Sequence, residues 1–471
     1  LYLGNWWILK ILSNFSYKND DYIYEATLIG SMVKVNDNPQ SPSYPALPFL
    51  SRKIQPNQGG NPFNVPVTWY GRPLGSEFSS PFSPKDIEQF NLSQKITTNL
   101  NDTIELEASL TISSHSNDHY RPDIIDSRFL EALNGTTMGQ SNGELIYWNI
   151  FDSSQNSQEL IDYVRGAEVS SKDASLNNLD LIFRSEHDGY EIAYGFQYKN
   201  EKLKITYDDI STAEFDEDGK IIKSADLFFL GGGINVSKNR NNYAAFFEIQ
   251  PKPIENLDLK IAGRFEEFEN DSSFDPKFSF KYAVSENIAL RASKSSSFSM
   301  PSMAQMFSSD INLGSVRDFN GDSPFVRQAQ IGNPDLKPAT SNNINIGFIF
   351  ENSLQRLSID YWNIDYKNRI EAQSAQVILN TDPDGPSITR NSSGDLIGVT
   401  TTYFNEESTE VSGIDLNFNK LLLTFDKYGE VSLVINSTTL IEFLTPALGN
   451  EGSEIMINRV GKFNYDTNTH S

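Results

Sequence analysis

Thr103–Ser113, which reads TIELEASLTIS, contains the pattern that decides the fold of this chain. Its apolar residues are Ile104, Leu106, Ala108, Leu110 and Ile112, and each is flanked by a polar residue. Because successive side chains of a β-strand point to opposite faces, this alternation gives one apolar face and one polar face. The stretch therefore predicts a long strand between an apolar and a wet environment.

The same alternation recurs along the chain. It is found in Tyr190–Lys199, Leu257–Glu266, Lys277–Val284, Asn343–Phe350, Leu357–Tyr361, Ile414–Asn419 and Glu430–Ile435. Aromatic residues are frequent on the apolar side, as on a lipid-facing wall, although a soluble sandwich core also favours them. The pattern predicts an all-β protein, which we interpret as a transmembrane antiparallel β-barrel.

The connections between these strands alternate between short and long. Short links are predicted at Pro251–Asn256, Ser285–Asn287, Glu351–Gln355 and Asp426–Gly429, and long polar stretches lie near Asp209–Asn242, Lys294–Asn342 and Asn363–Glu410. Structureless loops of this length are uncommon in compact soluble domains, whereas barrels carry long extracellular loops. The connections favour a membrane barrel, and we treat residues 1–471 as one barrel domain.

Composition excludes several classes of protein. The net charge of -24 argues against nucleic acid, and the absence of cysteine excludes disulfides, thiolate metal sites and cysteine nucleophiles. No run of about 18 apolar residues is present, so a helical membrane protein is excluded. Leu1–Ser16 and Asp466–Ser471 have the character of interior sequence, and we expect a chain cut at both ends.

Several motifs, in order, resemble the TonB-dependent outer-membrane receptors. Asp275–Phe307 is similar to the family's LRAS and sFRaPs segment, Gly332–Ser341 (GNPDLKPATS) to its NP-x-L-k-P box, and Glu410–Phe418 to a barrel signature with an inward acidic residue. Asn61–Gly75, Phe129–Gly135 and Asp226–Gly233 resemble receptor loops. The motif positions that carry the resemblance are Phe298, Pro301, Asn333, Pro334, Leu336, Pro338 and Gly413.

Physical roles can be assigned to some motif residues. Pro301 and Pro334 cannot donate to a sheet ladder, so we expect strands to end there. Gly332 and Gly413 allow either an unusual backbone conformation or a close neighbour. The chain departs from the family pattern at Ser299, where relatives often carry Arg, and at Ala339, where they often carry Glu. We hypothesise that the two positions face each other and that an ion pair has been lost as a unit.

The resemblance implies a receptor in the outer membrane of a Gram-negative bacterium. Such a receptor binds a scarce nutrient (an iron-siderophore, cobalamin or an oligosaccharide) and imports it with TonB energy. Its partners are the TonB complex, membrane lipid and the nutrient, and we expect a monomer. The family barrel has 22 strands, an N-terminal plug and a TonB box. This sequence carries neither plug nor box, and we place about 14 to 17 strands, the last near Ile457–Asn464.

One strand assignment stays open between two alternatives. The alternation changes phase between Tyr198 and Leu203, which indicates either a hairpin at Asn200–Glu201 or a bulge within one strand. We favour the bulge, because the family usually has a single long strand here. This places Glu186–Gly189 in a periplasmic turn.

Catalytic chemistry is not indicated. The histidines are His115, His119, His187 and His470, and no Gly-x-Ser-x-Gly elbow, phosphate loop or HExxH run accompanies them. We expect no enzyme, no catalytic residue, no metal site and no cofactor, and we interpret His115 and His119 as exposed loop residues. The acidic clusters Asp216–Asp218 and Asp382–Asp384 are interpreted as solvated turns rather than calcium sites.

Aromatic residues in the predicted external loops are the candidate ligand contacts. They are Trp69, Tyr70, Phe307, Phe319 and Phe325, which can stack on a sugar, siderophore or corrin ring or pack loops together. Two alternative functions remain. One is a passive porin-like channel with the same wall, and the other is a soluble secreted carbohydrate-binding β-protein.

Overall fold

A computed structural model of the chain describes residues 6–36, 50–74, 82–138, 143–216, 219–269, 271–425, 429–448 and 454–462. Its main feature is a sheet of 18 strands that curves into a barrel-like wall. Three of these strands belong to loops, and the other fifteen form the wall. No described helix combines the length and apolarity that a membrane crossing requires.

The wall is an antiparallel meander in which each strand pairs with the next along the chain. Its strands are β1 (Trp6–Lys18), β2 (Tyr22–Val35), β5 (Lys85–Asn99), β6 (Ile104–Ile124), β7 (Arg165–His187), β8 (Tyr190–Tyr207), β11 (Val236–Pro251), β12 (Leu257–Phe268), β13 (Asp271–Ser285), β14 (Ile288–Ser299), β17 (Ala339–Glu351), β18 (Gln355–Ala372), β20 (Leu396–Phe425), β21 (Gly429–Leu448) and β22 (Glu454–Asn458). All the predicted alternating segments lie in these strands.

The loops at one end of the wall contain the remaining elements. They are β3 (Arg52–Ile54), β4 (Val67–Trp69), α1 (Asp126–Asn134), α2 (Gln158–Val164), β9 (Glu214–Phe215), β10 (Ile221–Lys223), α3 (Met303–Phe307), β15 (Asp310–Ser315), β16 (Phe325–Ile331), α4 (Ala375–Thr381) and β19 (Ile388–Arg390). The opposite end has tight turns, as predicted at Pro251–Asn256, Ser285–Asn287 and Glu351–Gln355. Residues 426–428 of the fourth predicted link lie outside the described part. One hairpin at the loop end, between β12 and β13, is also tight.

Several strands are longer than their alternation indicated. β11 begins at Val236, β18 continues to Ala372 and β20 begins at Leu396, all within stretches predicted as loops. The predicted last strand, Ile457–Asn464, is instead β22, which ends at Asn458, and residues 463–464 lie outside the described part. The strand ends were missed because they lose the apolar and polar alternation.

The phase change in β8 has a different cause from the predicted bulge. A single long strand is confirmed, but its register is continuous, with Tyr198 opposite Leu179 and Leu203 opposite Ala174, so the bulge was wrong. Below the change, Tyr194 and Phe196 are exposed on the outer face, and above it Lys202 and Lys204 occupy that face. The apolar residues exchange sides because the upper strand has water outside and packed loops inside.

The largest dry core lies in the loops rather than inside the wall. Phe129 is fully buried and makes edge contacts with Trp148 at 6.0 Å and Phe228 at 5.6 Å between ring centroids. Around this centre pack Leu50, Ile54, Ile124, Ala132, Leu133, Leu160, Ile161 and Val164. The long loops are therefore not structureless. They form a packed cap, which is the name used below for this cluster and the loops that carry it.

Candidate functional site at the capped end

Beneath the cap, the inner face of the wall encloses a cavity of about 1110 Å³, called here the lumen cavity. Inward side chains of neighbouring strands line it, among them Lys199, Glu201, Arg240, Arg264 and Glu266. Met300 and Met303, which begin the loop after β14, line it as well. The cavity thus has a charged wall and an apolar lip.

Ion pairs neutralise much of this charge. Arg240 donates from Nε to Glu201 Oε2 at 3.0 Å, and Arg264 donates from Nε to Glu266 Oε2 at 2.9 Å. At the other end of the lumen, Arg184 Nη1 lies 3.2 Å from Glu105 Oε1 and 3.0 Å from Glu107 Oε2. Paired charges and water-facing polar groups are typical of a barrel interior rather than of a dry core.

Two of the family-like motifs are in contact at this end. Phe298 stacks on Phe268 with ring centroids 5.5 Å apart, and β14 ends at Ser299, before Pro301, as predicted. The backbone N–H of Asn333 donates to Gln305 O at 2.9 Å, and Asn333 Nδ2 donates to Tyr403 O, also at 2.9 Å. These hydrogen bonds connect the NP-x-L box with α3 and with β20.

The remaining motif positions are structural in character. The backbone N–H of Leu336 donates to Asn333 O, so Pro334 lies within a turn, and Leu336 is buried. Pro338, which is partly buried, is followed directly by β17. Strand β16 ends at Ile331, ahead of Pro334, as predicted.

Close neighbours explain the two motif glycines. A Cβ at Gly332 would lie 2.8 Å from Met306 O, and one at Gly413 would lie 2.6 Å from Trp362 Cζ2. Neither is among the described glycines with positive φ. Of the two predicted explanations, close approach is therefore correct.

The five aromatic candidates do not converge on the lumen cavity. Trp69 and Phe325 pack against the cap core, and Phe307 packs beside Ile205, Tyr207 and Val236. Tyr70 is 46% exposed, and Phe319 is 74% exposed with Arg390 Cζ 4.9 Å from its ring centroid. Trp69 and Phe325 thus pack within the cap, Phe307 packs against the wall, and Tyr70 and Phe319 are exposed, with Arg390 over one face of Phe319.

Of the basic lumen residues, the sequence alternation placed Lys199 on a polar face but did not identify Arg240, Arg264 or Lys277. Lys199, Arg240, Arg264 and Lys277 all line the cavity, and each lies at an inward position of a long strand. For Arg264 and Lys277 the signal was present, because both are polar partners of the alternating apolar residues in β12 and β13. Arg240 lies in a part of β11 that was predicted as a loop.

The interpretation of His115 and His119 as exposed loop residues was wrong. β6 continues to Ile124, so both lie on its inward face and both are partly buried. His119 Nε2 lies 2.9 Å from Ser83 Oγ, and burial lowers the pKa of His119 to about 4. His187 stacks on Tyr190 at 4.7 Å in a tight turn, and His470 lies outside the described residues. The described part contains no group of three or more His, Asp or Glu residues arranged to hold a metal ion.

The acidic clusters form turns. Gly219 N donates to Asp216 O at 3.0 Å, and Gly385 N donates to Asp382 O at 3.1 Å. Residues 217 and 218 of the first cluster lie outside the described part. Asp384 Oδ1 is 3.7 Å from Arg390 Nε.

One buried carboxylate joins the wall to the cap. Asp123, near the end of β6, accepts backbone hydrogen bonds from Leu230 at 2.7 Å, Phe229 at 2.9 Å and Ile124 at 2.8 Å. Complete burial raises the pKa of Asp123 to about 6, although these N–H donors and the Arg327 charge oppose the rise.

Solved structures of known proteins have an architecture similar to that of this chain. A structural comparison finds the siderophore receptor PirA from Acinetobacter baumannii, with a TM-score of 0.54, 14% identity, and coverage of 93% of this chain and 54% of that one. The outer membrane transporter YddB from Escherichia coli matches with a TM-score of 0.52, 11% identity, and coverage of 92% and 48%. The chain thus spans about half the length of these structures. No curated protein matches it in sequence.

The family comparison covers most of the sequence. The model "TonB dependent receptor-like, beta-barrel" matches residues 31–466, which include the wall from within β2 to β22 and the whole cap. The chain belongs to the β-barrel family of TonB-dependent receptors.

Proposed function

We propose that the chain is the barrel part of an outer-membrane receptor that imports a scarce nutrient with TonB energy. The receptor is a monomer of one barrel domain, and it performs no enzymatic reaction. The nutrient is an iron-siderophore, a cobalamin or an oligosaccharide. The siderophore class receives support from PirA, which is a siderophore receptor.

The observation that carries this proposal is the exchange of faces in β8. Tyr194 and Phe196 are exposed outside while Gln197 and Lys199 face the lumen, and the arrangement reverses beyond Tyr198. An apolar band of limited height that gives way to an outer surface of lysines matches a wall that crosses lipid and emerges into water. A soluble sandwich would bury these aromatic residues instead.

The mechanism follows from the two ends of the wall. The nutrient binds at the capped end, where Tyr70 and Phe319 offer aromatic faces. A plug, supplied by the parent protein, would close the lumen, and the TonB complex would rearrange it so that the nutrient passes along the ion-paired inner wall. The cap's packed core holds the binding loops in one arrangement, which reduces the entropy lost on binding.

Membrane insertion can be tested with two substitutions on one strand face. Phe196→Asp places a charge in the apolar band and should abolish assembly into the outer membrane, measured by heat-modifiable gel mobility. Lys202→Asp, on the same face above the band, should assemble normally. Normal assembly of both variants in lipid would contradict the assigned band.

Transport can be tested in a deletion strain of the parent gene. We expect growth on one of a set of iron chelates, cobalamin or oligosaccharides to be lost and to be restored by the gene only when TonB is functional. Restoration without TonB would establish the passive channel instead. Assembly as a soluble secreted protein would establish the carbohydrate-binding alternative.

A further inference from the structure

Three successive inward residues of β11 hold one short loop segment. Asn242 Nδ2 lies 3.6 Å from Met300 Sδ, Arg240 Nη1 donates to Pro301 O at 2.8 Å, and Lys238 Nζ lies 4.5 Å from the ring centroid of Phe307. Residues 300–307, here called the α3 segment, follow directly after β14. Every second residue of β11 thus contacts a different part of this segment.

Arg240 is the centre of this contact. Its side chain is only 7% exposed, and Nε and Nη2 both donate to Glu201 Oε2, which neutralises the buried charge. The geometry of the guanidinium leaves Nη1 to donate to Pro301 O at the same time. A lysine at this position cannot make both contacts.

The α3 segment is internally rigid and is held from its other side as well. Ser302 and Gln305 form a reciprocal capping box, with hydrogen bonds of 2.9 Å and 3.1 Å. Gln305 O accepts from Asn333 N, and the absence of a side chain at Gly332 lets Met306 O and Ser308 O approach. The segment would therefore move as one body if its contact with β11 were lost.

The position of the α3 segment determines part of the boundary of the lumen cavity. Met300, Ser302 and Met303 line the lumen cavity opposite inward residues of β5 and β6, such as Gln89 and His115. Wall strands paired along their whole length cannot move inward or outward easily. The α3 segment, which lies outside the strand ladder and is held by a small set of hydrogen bonds and side-chain contacts, is the adjustable part of this boundary.

We propose that Arg240 is a positioning residue that fixes the α3 segment as the inner lip of the lumen, so that this segment sets which solutes can pass. The consequence for passage rests on the proposed function, whereas the positioning itself does not. Loss of the hydrogen bond from Arg240 to Pro301 O would free the lip.

The positioning is testable because the chain has no cysteine. A single thiol introduced by Met303→Cys, at a residue 9% exposed, should react slowly with a maleimide in the purified, detergent-solubilised full chain. Adding Arg240→Ala should accelerate the reaction by about ten- to a hundredfold, the shift expected when a hydrogen bond to a charged group is lost. Arg240→Lys should give a similar acceleration, because it keeps the charge but not the planar arrangement of Nε, Nη1 and Nη2 that reaches both Glu201 and Pro301.

The control is Arg184→Ala, which removes another inward arginine, one whose ion pairs with Glu105 and Glu107 lie within the wall. It should leave the rate unchanged. If Met303→Cys perturbs the fold, a spin label at Ala304→Cys, an exposed position, gives the same information through its mobility. Equal rates or equal mobility with and without Arg240 would overturn the proposal.

A second measurement separates this inference from the transport proposal. In cells, Arg240→Ala in the parent receptor should change the rate of TonB-dependent nutrient uptake. Faster thiol reaction without a change in uptake would reject the role of the lip in passage. Failure of TonB-dependent growth alone would reject the proposed function and leave the positioning by Arg240 intact.

Discussion

Arg291 and Asp360 form a two-point ion pair that spans the strand between them. Arg291 Nε lies 2.7 Å from Asp360 Oδ1 and Nη2 lies 2.6 Å from Oδ2, while β17 runs between β14 and β18. Gly347 is the β17 residue that is paired with both. Its missing side chain leaves the space in which the guanidinium meets the carboxylate, and Asp360 is almost completely buried there.

We predict that Gly347→Ala breaks this ion pair. The added Cβ would lie 2.0 Å from Asp360 Oδ1, so the carboxylate must move away from Arg291. Because Asp360 is buried but the Arg291 side chain is 42% exposed, separation of the pair should lower the free energy of unfolding by roughly 1–3 kcal/mol, measured by urea titration in lipid or detergent.

The matched control is Gly30→Ala in β2. A Cβ at Gly30 meets no atom within 4 Å. This substitution should be neutral or stabilise the protein by roughly 0.5 kcal/mol. Equal effects of the two substitutions would show that Gly347 has no special role.

Ser299 and Ala339 are direct partners across β14 and β17, so the hypothesis that these two positions face each other is confirmed. We predict that Ala339→Glu alone destabilises the protein, because Ala339 is buried and the new carboxylate would lack a partner. Adding Ser299→Arg should recover roughly 1 kcal/mol or more of the loss in a double-mutant cycle. A coupling energy of zero would mean that the two side chains cannot meet at these positions.

How far the sequence predicts this molecule depends on the surroundings of each segment. The strands of the apolar band, such as β12 and β13, were predicted because each of their two faces meets a single environment, apolar on the outer face and polar on the inner face. The upper part of β8 was misread because Leu203 and Ile205 face packed loops rather than lipid. The cap itself was not foreseen, since Phe129 and Trp148 belong to short elements whose partners are far away in sequence.

The candidate site likewise contains some residues that the sequence indicated and others that it did not. Motif residues such as Pro301 and Asn333 were found by resemblance, and the structure places both in contact with or within the α3 segment. Arg240 was missed, because a single arginine on a strand has no distinctive spacing. Only the three-dimensional register brings it to the α3 segment.

Trp69 and Tyr70 should respond differently to truncation. Trp69 packs against Phe129 at 6.1 Å and Phe228 at 6.3 Å, so Trp69→Ala should destabilise the cap by roughly 2–4 kcal/mol. Tyr70→Ala should leave stability within roughly 0.5 kcal/mol, and it should weaken nutrient uptake if the exposed ring contacts the ligand. Proteolytic sensitivity of the cap measures the first effect, and uptake measures the second. Unaltered uptake in both Tyr70→Ala and Phe319→Ala would remove these residues from the ligand site.

Asp123 should make the cap less stable as the pH rises. Its pKa is about 6 in the folded protein and near 3.8 when exposed, so the folded state holds the proton more tightly between these values. Stability from this group is present at low pH, falls as pH rises from about 4 to 6, and stays low above that range. Asp123→Asn keeps an acceptor for Leu230 N and Phe229 N but places its NH2 group against Ile124 N, so it should remove this pH dependence without a net gain in stability. Asp188→Asn, in an exposed turn, is the control and should leave the pH dependence of cap stability as in the parent.

His119 should make stability depend on pH in the opposite direction, over nearly the same pH range. Burial, followed by repulsion from Lys85, Arg121 and Lys172, lowers its pKa from 6.5 to about 4, so the folded state keeps the ring neutral. The unfolded chain binds the proton more readily, and stability is therefore lost as pH falls from about 6.5 towards 4.

In the parent protein, the pH dependences of stability that Asp123 and His119 cause oppose each other. Substitution of either residue should reveal the dependence that the other one causes. Asp123→Asn should leave a melting temperature that rises between pH 4 and 6.5, because only the His119 slope remains. His119→Gln, which can still hydrogen-bond Ser83, should leave a melting temperature that falls over the same pH range. The melting temperature of the double variant should depend little on pH. A parent and a His119→Gln variant with identical pH profiles would show that the imidazole stays solvated, and that the wall above the apolar band is more open than its packing implies.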